Sequence, residues 1–419
     1  MDNCGPWIGE LRHRRGMTHH DRAERGAEPA LPESRPMSIS LREPAELAEA
    51  LPYLLGFYPD DSLVVVALHG ERGRFGGRIR IGIPTAESTW SPLAPQIAEC
   101  LDASSRARGA PPDGALIFVC QEPEEGGSGR DVMERLRPLV QALRLACGQR
   151  DMPVYEALCL SDGRFFSYCC PDESCCPPEG VPLSRSRTSA MAVAAAYAGI
   201  PVRGSLREME RRLLPLGPPL GEEQQRALDR ASLALTPRML SQGGRQEVRV
   251  ETLVLLRRLL ERFERRLPKT GAHGSDDAHD DGLLTHDECA AAVLGLQDRE
   301  TRDQVAAWTE EGDLPAALRL WRALARRCPG PYAAYSAALL SLAGWAAWSS
   351  GDVPTARVTL GVALRVDPDY LFAQLLHQAC NEGLDPQLVS RCLRKEQKGR
   401  EHPVDEEAER PGPAPDTAV

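Results

Sequence analysis

The run Leu63-Val64-Val65-Val66-Ala67-Leu68 carries no polar side chain. A strand with one face in water alternates apolar and polar residues, so an unbroken apolar run belongs to a strand covered on both faces. That requirement calls for helices on either side of a sheet, and the neighbouring sequence supplies them. Leu47, Leu51, Leu54 and Leu55 recur at helical spacing ahead of the run, with Pro44 suited to a first helical turn and Pro52 expected to disturb the end of the pattern. Pro59-Asp60-Asp61 reads as the turn into the strand. Ile79, Ile81 and Ile83 alternate with polar or small residues, as a half-exposed adjoining strand does, and Ala115 to Cys120 is a second buried strand. Val132, Leu136, Leu139, Val140, Leu143 and Cys147 form an amphipathic helical stripe with Pro138 inside it.

Val154 to Leu160 and Arg164 to Cys169 flank Asp162-Gly163. Asp-Gly between two such runs favours a two-residue type I′ hairpin, because both turn residues need positive φ. That register sets Leu160 opposite Phe165 and Cys159 opposite Phe166. Whatever follows Cys169 therefore emerges at the open end of the hairpin. From Thr188 onward the pattern is helical only. The clearest case is the helix carrying Leu253, Leu256, Leu259, Leu260, Phe263 and Leu267, with Arg257, Arg258, Arg262, Arg265 and Arg266 on its other side as a solvated face.

The expected architecture is an α/β N-terminal domain, a mixed sheet with flanking helices over residues 37–200, followed by an all-α C-terminal domain over 284–396. Connecting helices fill 201–267 and a polar linker fills 268–283. Residues 1–36 hold several arginines and no apolar core of a signal peptide, and they and the tail 397–419 are expected to be disordered. The uncharged stretch from Cys328 to Gly351 is long enough to span a bilayer but is rich in Ala and Ser, so a buried helix explains it better and no membrane is expected. A net charge of -10 weighs against nucleic acid as a partner. Thirteen cysteines with no export signal point to a reducing, cytoplasmic setting, where thiols or metal ligands are commoner than disulfides.

The most chemically concentrated segment is Tyr168-Cys169-Cys170-Pro171-Asp172-Glu173-Ser174-Cys175-Cys176-Pro177-Pro178. Its loop, 169–176, places two vicinal cysteine pairs between prolines. Cys169, Cys170, Cys175 and Cys176 are candidate ligands for a tetrahedral zinc ion, all four together or two or three of them with an outside ligand. Redox-active or simply packed thiols are the competing reading. Other motifs are weaker. Asp277, His279, Asp281, Gly282 and Glu288 approach a calcium loop, but a histidine stands at the third ligand position and Pro268, Gly271 and Gly274 argue against an incoming helix. Thr285-His286-Asp287-Glu288 is better read as a capping box. Gly126-Gly127-Ser128-Gly129 sits where a phosphate cradle would, yet it follows Glu122, Glu124 and Glu125 and reads as a flexible loop. Between Met37 and His273 the only histidine is His69, read as a surface turn residue, so any Ser-His or Cys-His pair in the α/β domain would have to use it.

Gly312-Asp313, Pro315, Ala317 and Pro329 recur 39 positions later as Gly351-Asp352, Pro354, Ala356 and Pro368. The order resembles the tetratricopeptide pattern of paired helices, whose period is about 34 residues. The stretch Leu41-Arg42-Glu43-Pro44-Ala45-Glu46-Leu47, then Leu51 to Phe57 and Pro59 to Val66, resembles the opening of an actinobacterial family, domain of unknown function 4192. Tyr168 to Gly180, Arg302-Asp303 and the ending from Asp367-Pro368 to Leu384 are similar to that family too. The resemblance covers about residues 37–390 and implies no known activity. Two function classes follow. The favoured one is a non-catalytic cytoplasmic binding or scaffold protein whose helical C-terminal half meets a protein partner. The other is a metal-dependent or small-molecule-handling α/β enzyme using the cysteine loop.

Overall fold

A computed structural model of the chain describes residues 9–10, 40–41, 43–183, 190–197, 199–266, 273–308 and 314–391. The expected disorder of 1–36 and 397–419 lies outside them, apart from β1 (Gly9–Glu10), which pairs antiparallel with β2 (Ser40–Leu41). The chain divides into two compact units between Arg207 and Glu208.

The N-terminal unit is built on a six-stranded mixed sheet. Its strands are β3 (Ser62–His69), β4 (Arg74–Gly82), β5 (Gly114–Cys120), β6 (Val154–Ser161), β7 (Arg164–Ser167) and β8 (Val181–Pro182), in the order β4-β3-β5-β6-β7-β8. Only β5 and β6 are parallel, and α3 (Gly129–Gly148) makes the crossover between them. The apolar run of the sequence is β3, buried from Ser62 to Leu68 between antiparallel β4 and β5. On one face α2 (Trp90–Arg106) and α3 enclose Leu63, Val65, Ile117, Val119, Ala157 and Cys159. On the other, α1 (Pro44–Leu55) packs on β6 and β7 and against α4 (Ala190–Tyr197). Pro52 does not cut α1 short: the helix runs on to Leu55, and Gly56, at φ 86°, caps it by donating to the Pro52 carbonyl. The Asp162-Gly163 hairpin has the expected register, Leu160 opposite Phe165 and Cys159 opposite Phe166, with φ of 53° and 64° at the turn.

The C-terminal unit is rich in helix, and no strand is assigned in it among the described residues. After α5 (Leu206–Arg211) come α6 (Leu220–Leu240), α7 (Gly244–Arg265), α8 (His273–Gly282), α9 (His286–Gly295), α10 (Arg299–Ala306), α11 (Leu314–Arg326), α12 (Ser336–Ser349), α13 (Val353–Val366) and α14 (Leu371–Glu382). The uncharged stretch forms α12, which packs against α11, α13 and α14 and has 13 of its 14 residues buried. Gly344 lets α13 come close, since a Cβ there would lie 2.6 Å from Leu360 Cγ. Trp345 and Trp348 meet edge to face at 5.7 Å, and the Trp345 indole donates to the Ala306 carbonyl at 2.8 Å. No helix among the described residues is long and apolar enough to cross a membrane. Gly312-Asp313 of the first repeat unit lies outside the described residues, while its Pro315 and Ala317 fall on α11; in the second unit Asp352 is the N-cap of α13.

Two sequence expectations for this unit need correction. The segment expected as a polar linker is helical from His273 to Gly282, because tertiary ion pairs offset its poor helix propensity. Asp277, Asp280 and Asp281 share one face by their spacing and pair with Arg212, Arg319 and Arg326 respectively. The arginine face of α7 is also not wholly solvated. Arg262 binds Glu288 at 2.7 Å, and Arg257 lies 4.3 Å over the Trp308 ring. Arg265 does pair with Glu261 in solvent as its spacing implies.

Candidate metal centre

The cysteine loop, 168–180, leaves the end of β7 and returns as β8, which pairs Phe165 with Val181. Its inner end is tied to the sheet. The buried carboxylate of Glu156 accepts from Ser167 Oγ at 2.8 Å, and Ser167 Oγ accepts the Cys169 and Cys170 amides at 3.1 and 2.9 Å. Tyr168 donates its hydroxyl to the Met133 carbonyl at 2.9 Å, beneath the Arg137 guanidinium. At the outer end Asp172 folds the chain back. Its side chain accepts from Ser174 N and Oγ at 2.8 and 2.7 Å, and its carbonyl accepts from Cys175 N and Cys176 N at 3.2 and 2.8 Å. The return leg needs Gly180, with φ 77° and a would-be Cβ only 2.6 Å from the Phe166 ring.

This fold brings three of the four candidate thiols together. The Sγ atoms of Cys170, Cys175 and Cys176 all lie within 4.8 Å of one another, and Cys175 and Cys176 are 4.0 Å apart. Three sulfurs around one zinc, each about 2.3 Å away, stand about 3.8–4.0 Å apart, so these need to close by less than about 1 Å. Cys169 is the exception. It lies in the bend just past the end of β7, beside Glu156. Cys175 and Cys176 are instead carried by the Asp172 turn.

Burial, with the nearby Glu156 carboxylate, pushes the Cys169 thiol up to about 11. Burial and the neighbouring Cys170 and Cys175 sulfurs raise Cys176 strongly. For Cys175, a hydrogen bond from Cys176 favours the thiolate, but burial and Cys170 outweigh it and the result is also raised. Crowded sulfurs resist ionising together because each thiolate repels the next. A bound cation reverses that balance and deprotonates its thiol ligands outright.

The other sequence candidates settle into structural roles. Ser128 caps α3, its Oγ accepting from Asp131 N while its own amide donates to Asp131 Oδ2 at 2.8 Å, so that helix terminus is self-capped. Gly129 stands against the Phe166 ring, which explains a glycine there without a phosphate. Thr285 and Glu288 form the capping box of α9. Asp277 and Asp281 of the calcium-like pattern bond arginines. His69 ends β3 with Nδ1 3.2 Å from the Pro111 carbonyl. Sequence reasoning missed the Glu156–Ser167 pair beneath the loop; a lone glutamate in an otherwise apolar strand was its only signal.

No curated protein and no solved structure matches the chain. The family comparison does match, and over most of its length. The chain belongs to the family described as a domain of unknown function (DUF4192), matched over residues 44–387.

Proposed function

We propose that this chain is a non-catalytic, cytoplasmic binding protein whose N-terminal unit carries a zinc ion on the cysteine loop. The observation that carries the reading is the gathering of the Cys170, Cys175 and Cys176 sulfurs within 4.8 Å on a loop fixed at both ends. Soft thiolates on a proline-bounded loop select zinc over hard cations such as magnesium or calcium. The ion would serve as a staple, closing a segment that has little apolar burial of its own. Elemental analysis of native protein purified without chelator tests this: about one zinc per chain is expected, and its absence sinks the reading.

A protein partner for the helical unit is the second part of the proposal. It is supported by Leu371 and Leu375, a turn apart on α14 and 56% and 55% exposed, with Leu384 and Leu388 following at 45% and 48%. Leu375→Asp and Leu388→Asp should abolish capture of a partner that the wild-type chain retains, and unchanged capture refutes this surface. The enzyme alternative draws on the same cysteine loop and needs a proton-handling group beside the ion.

A further inference from the structure

We infer that the loop gives its metal ion three protein thiolates and leaves the fourth position to an exogenous thiolate. This rests on the zinc reading above and specifies the chemistry of that site.

The first argument is the exclusion of Cys169. Its sulfur is not among those that lie within 4.8 Å of one another, and its amide is held by Ser167 Oγ at 3.1 Å. The second is the lack of a substitute among the described residues. Among the described residues no histidine, aspartate, glutamate or further cysteine joins the three. Asp172 is already engaged with Ser174 and the turn amides. The sequence 184–189, Ser-Arg-Ser-Arg-Thr-Ser, contains none of those residue types.

The third argument is access. Cys175 is exposed and Cys170 and Cys176 are half-buried, so the open side of the triad faces water. Zinc prefers four ligands, and three from the protein with an open fourth is the arrangement of an exchangeable rather than a closed site. Three thiolates make the ion a poor acidifier of bound water, and zinc's affinity for soft ligands favours sulfur at the remaining position. The exchange balances simply. The zinc–oxygen bond to water breaks, a zinc–sulfur bond forms, and the proton of the incoming thiol passes to solvent. No electron transfer is involved.

Cobalt(II) is the probe, added to the full chain freed of zinc and kept reduced with a phosphine. One cobalt should bind and show sulfur-to-metal charge transfer. Titrating 2-mercaptoethanol should then intensify that band saturably by about one third, as four thiolates replace three. Cys169→Ser should behave as wild type, whereas Cys170→Ser, Cys175→Ser and Cys176→Ser should each weaken cobalt at least about tenfold. Unchanged circular dichroism shows that the serine variants fold. Size-exclusion separates the two sources of the fourth sulfur. A monomer that responds to added thiol takes a small thiol, and a dimer with a four-thiolate spectrum beforehand takes a cysteine of a second copy. Either supports the inference. Bound cobalt that ignores added thiol in a monomer overturns it and leaves the zinc reading standing. A site that Cys169→Ser weakens as much as Cys176→Ser is a closed four-cysteine site and overturns it too. Failure to bind any metal removes the zinc reading itself.

Discussion

Replacing Asp280 by alanine is expected to be among the most damaging single changes in the helical unit. Asp280 has a side chain only 4% exposed and faces Arg319, itself 15% exposed. Arg319 Nε lies 3.1 and 3.2 Å from the two carboxylate oxygens, and its remaining nitrogens donate to the Phe263 and Arg266 carbonyls at 3.0 and 2.9 Å. Asp280→Ala leaves a desolvated guanidinium holding two carbonyls and no counter-charge. Breaking such a pair from one side costs about 3–5 kcal/mol, and the surviving carbonyl bonds place this case at about 3. For a unit of this size that is a drop of about 6–12 °C in Tm. Urea unfolding followed by tryptophan fluorescence reports it, because Trp308, Trp321, Trp345 and Trp348, four of the six tryptophans, lie beyond Glu208. The midpoint should fall with the slope unchanged. Glu261→Ala, which removes an exposed pair, should cost under about 0.5 kcal/mol and serves as the control. Asp280→Leu combined with Arg319→Met should recover most of the loss, since an apolar pair needs no counter-charge. If Asp280→Ala costs under about 1 kcal/mol, the pair is behaving as a solvated one and the reasoning fails.

Gly344→Ala should destabilise the unit by about 1–3 kcal/mol, measured the same way, because the new methyl meets Leu360 Cγ and Cδ2 at 2.6 and 2.7 Å; a neutral result refutes the close approach of α12 and α13. Gly180→Ala should weaken cobalt binding by the cysteine loop, as its φ of 77° and the Phe166 ring both resist a side chain, and unchanged affinity would uncouple that leg from the thiols. The Arg262 hydrogen bond, opposed by burial and helped by Thr285, holds Glu288 at about 2 against an ordinary 4.5. The carboxylate form is the stabilising one, so its contribution is complete above pH 4.5 and is lost as pH falls toward about 2. Glu288→Gln should therefore flatten stability across that acid window, and an unchanged acid slope refutes the assignment.

Where local chemistry decides structure, the sequence was readable. Asp162-Gly163 set the β6–β7 register because its two turn residues accept positive φ, and Thr285 with Glu288 marked the start of α9 because they satisfy each other's neighbouring amides. The features that were missed depend on partners far along the chain. Helix α8 looks like a linker because glycine and aspartate disfavour helix, and its stabilising arginines come from Arg212 and from α11. The same holds at the candidate centre. Spacing placed four cysteines on one loop, yet which sulfurs come together follows from the bend after β7 at Cys169 and the Asp172 turn at Cys175 and Cys176.

Helix α12 has no side on which to place a charge, since neighbours surround it and only Ser349 of its length escapes burial. During synthesis this stretch leaves the ribosome before α13 and α14, so for a time it has no cover on that flank. Helices α13 and α14 therefore act as a lid on the most aggregation-prone part of the unit. A chain stopped short of them would be expected to clump rather than fold into a smaller soluble piece.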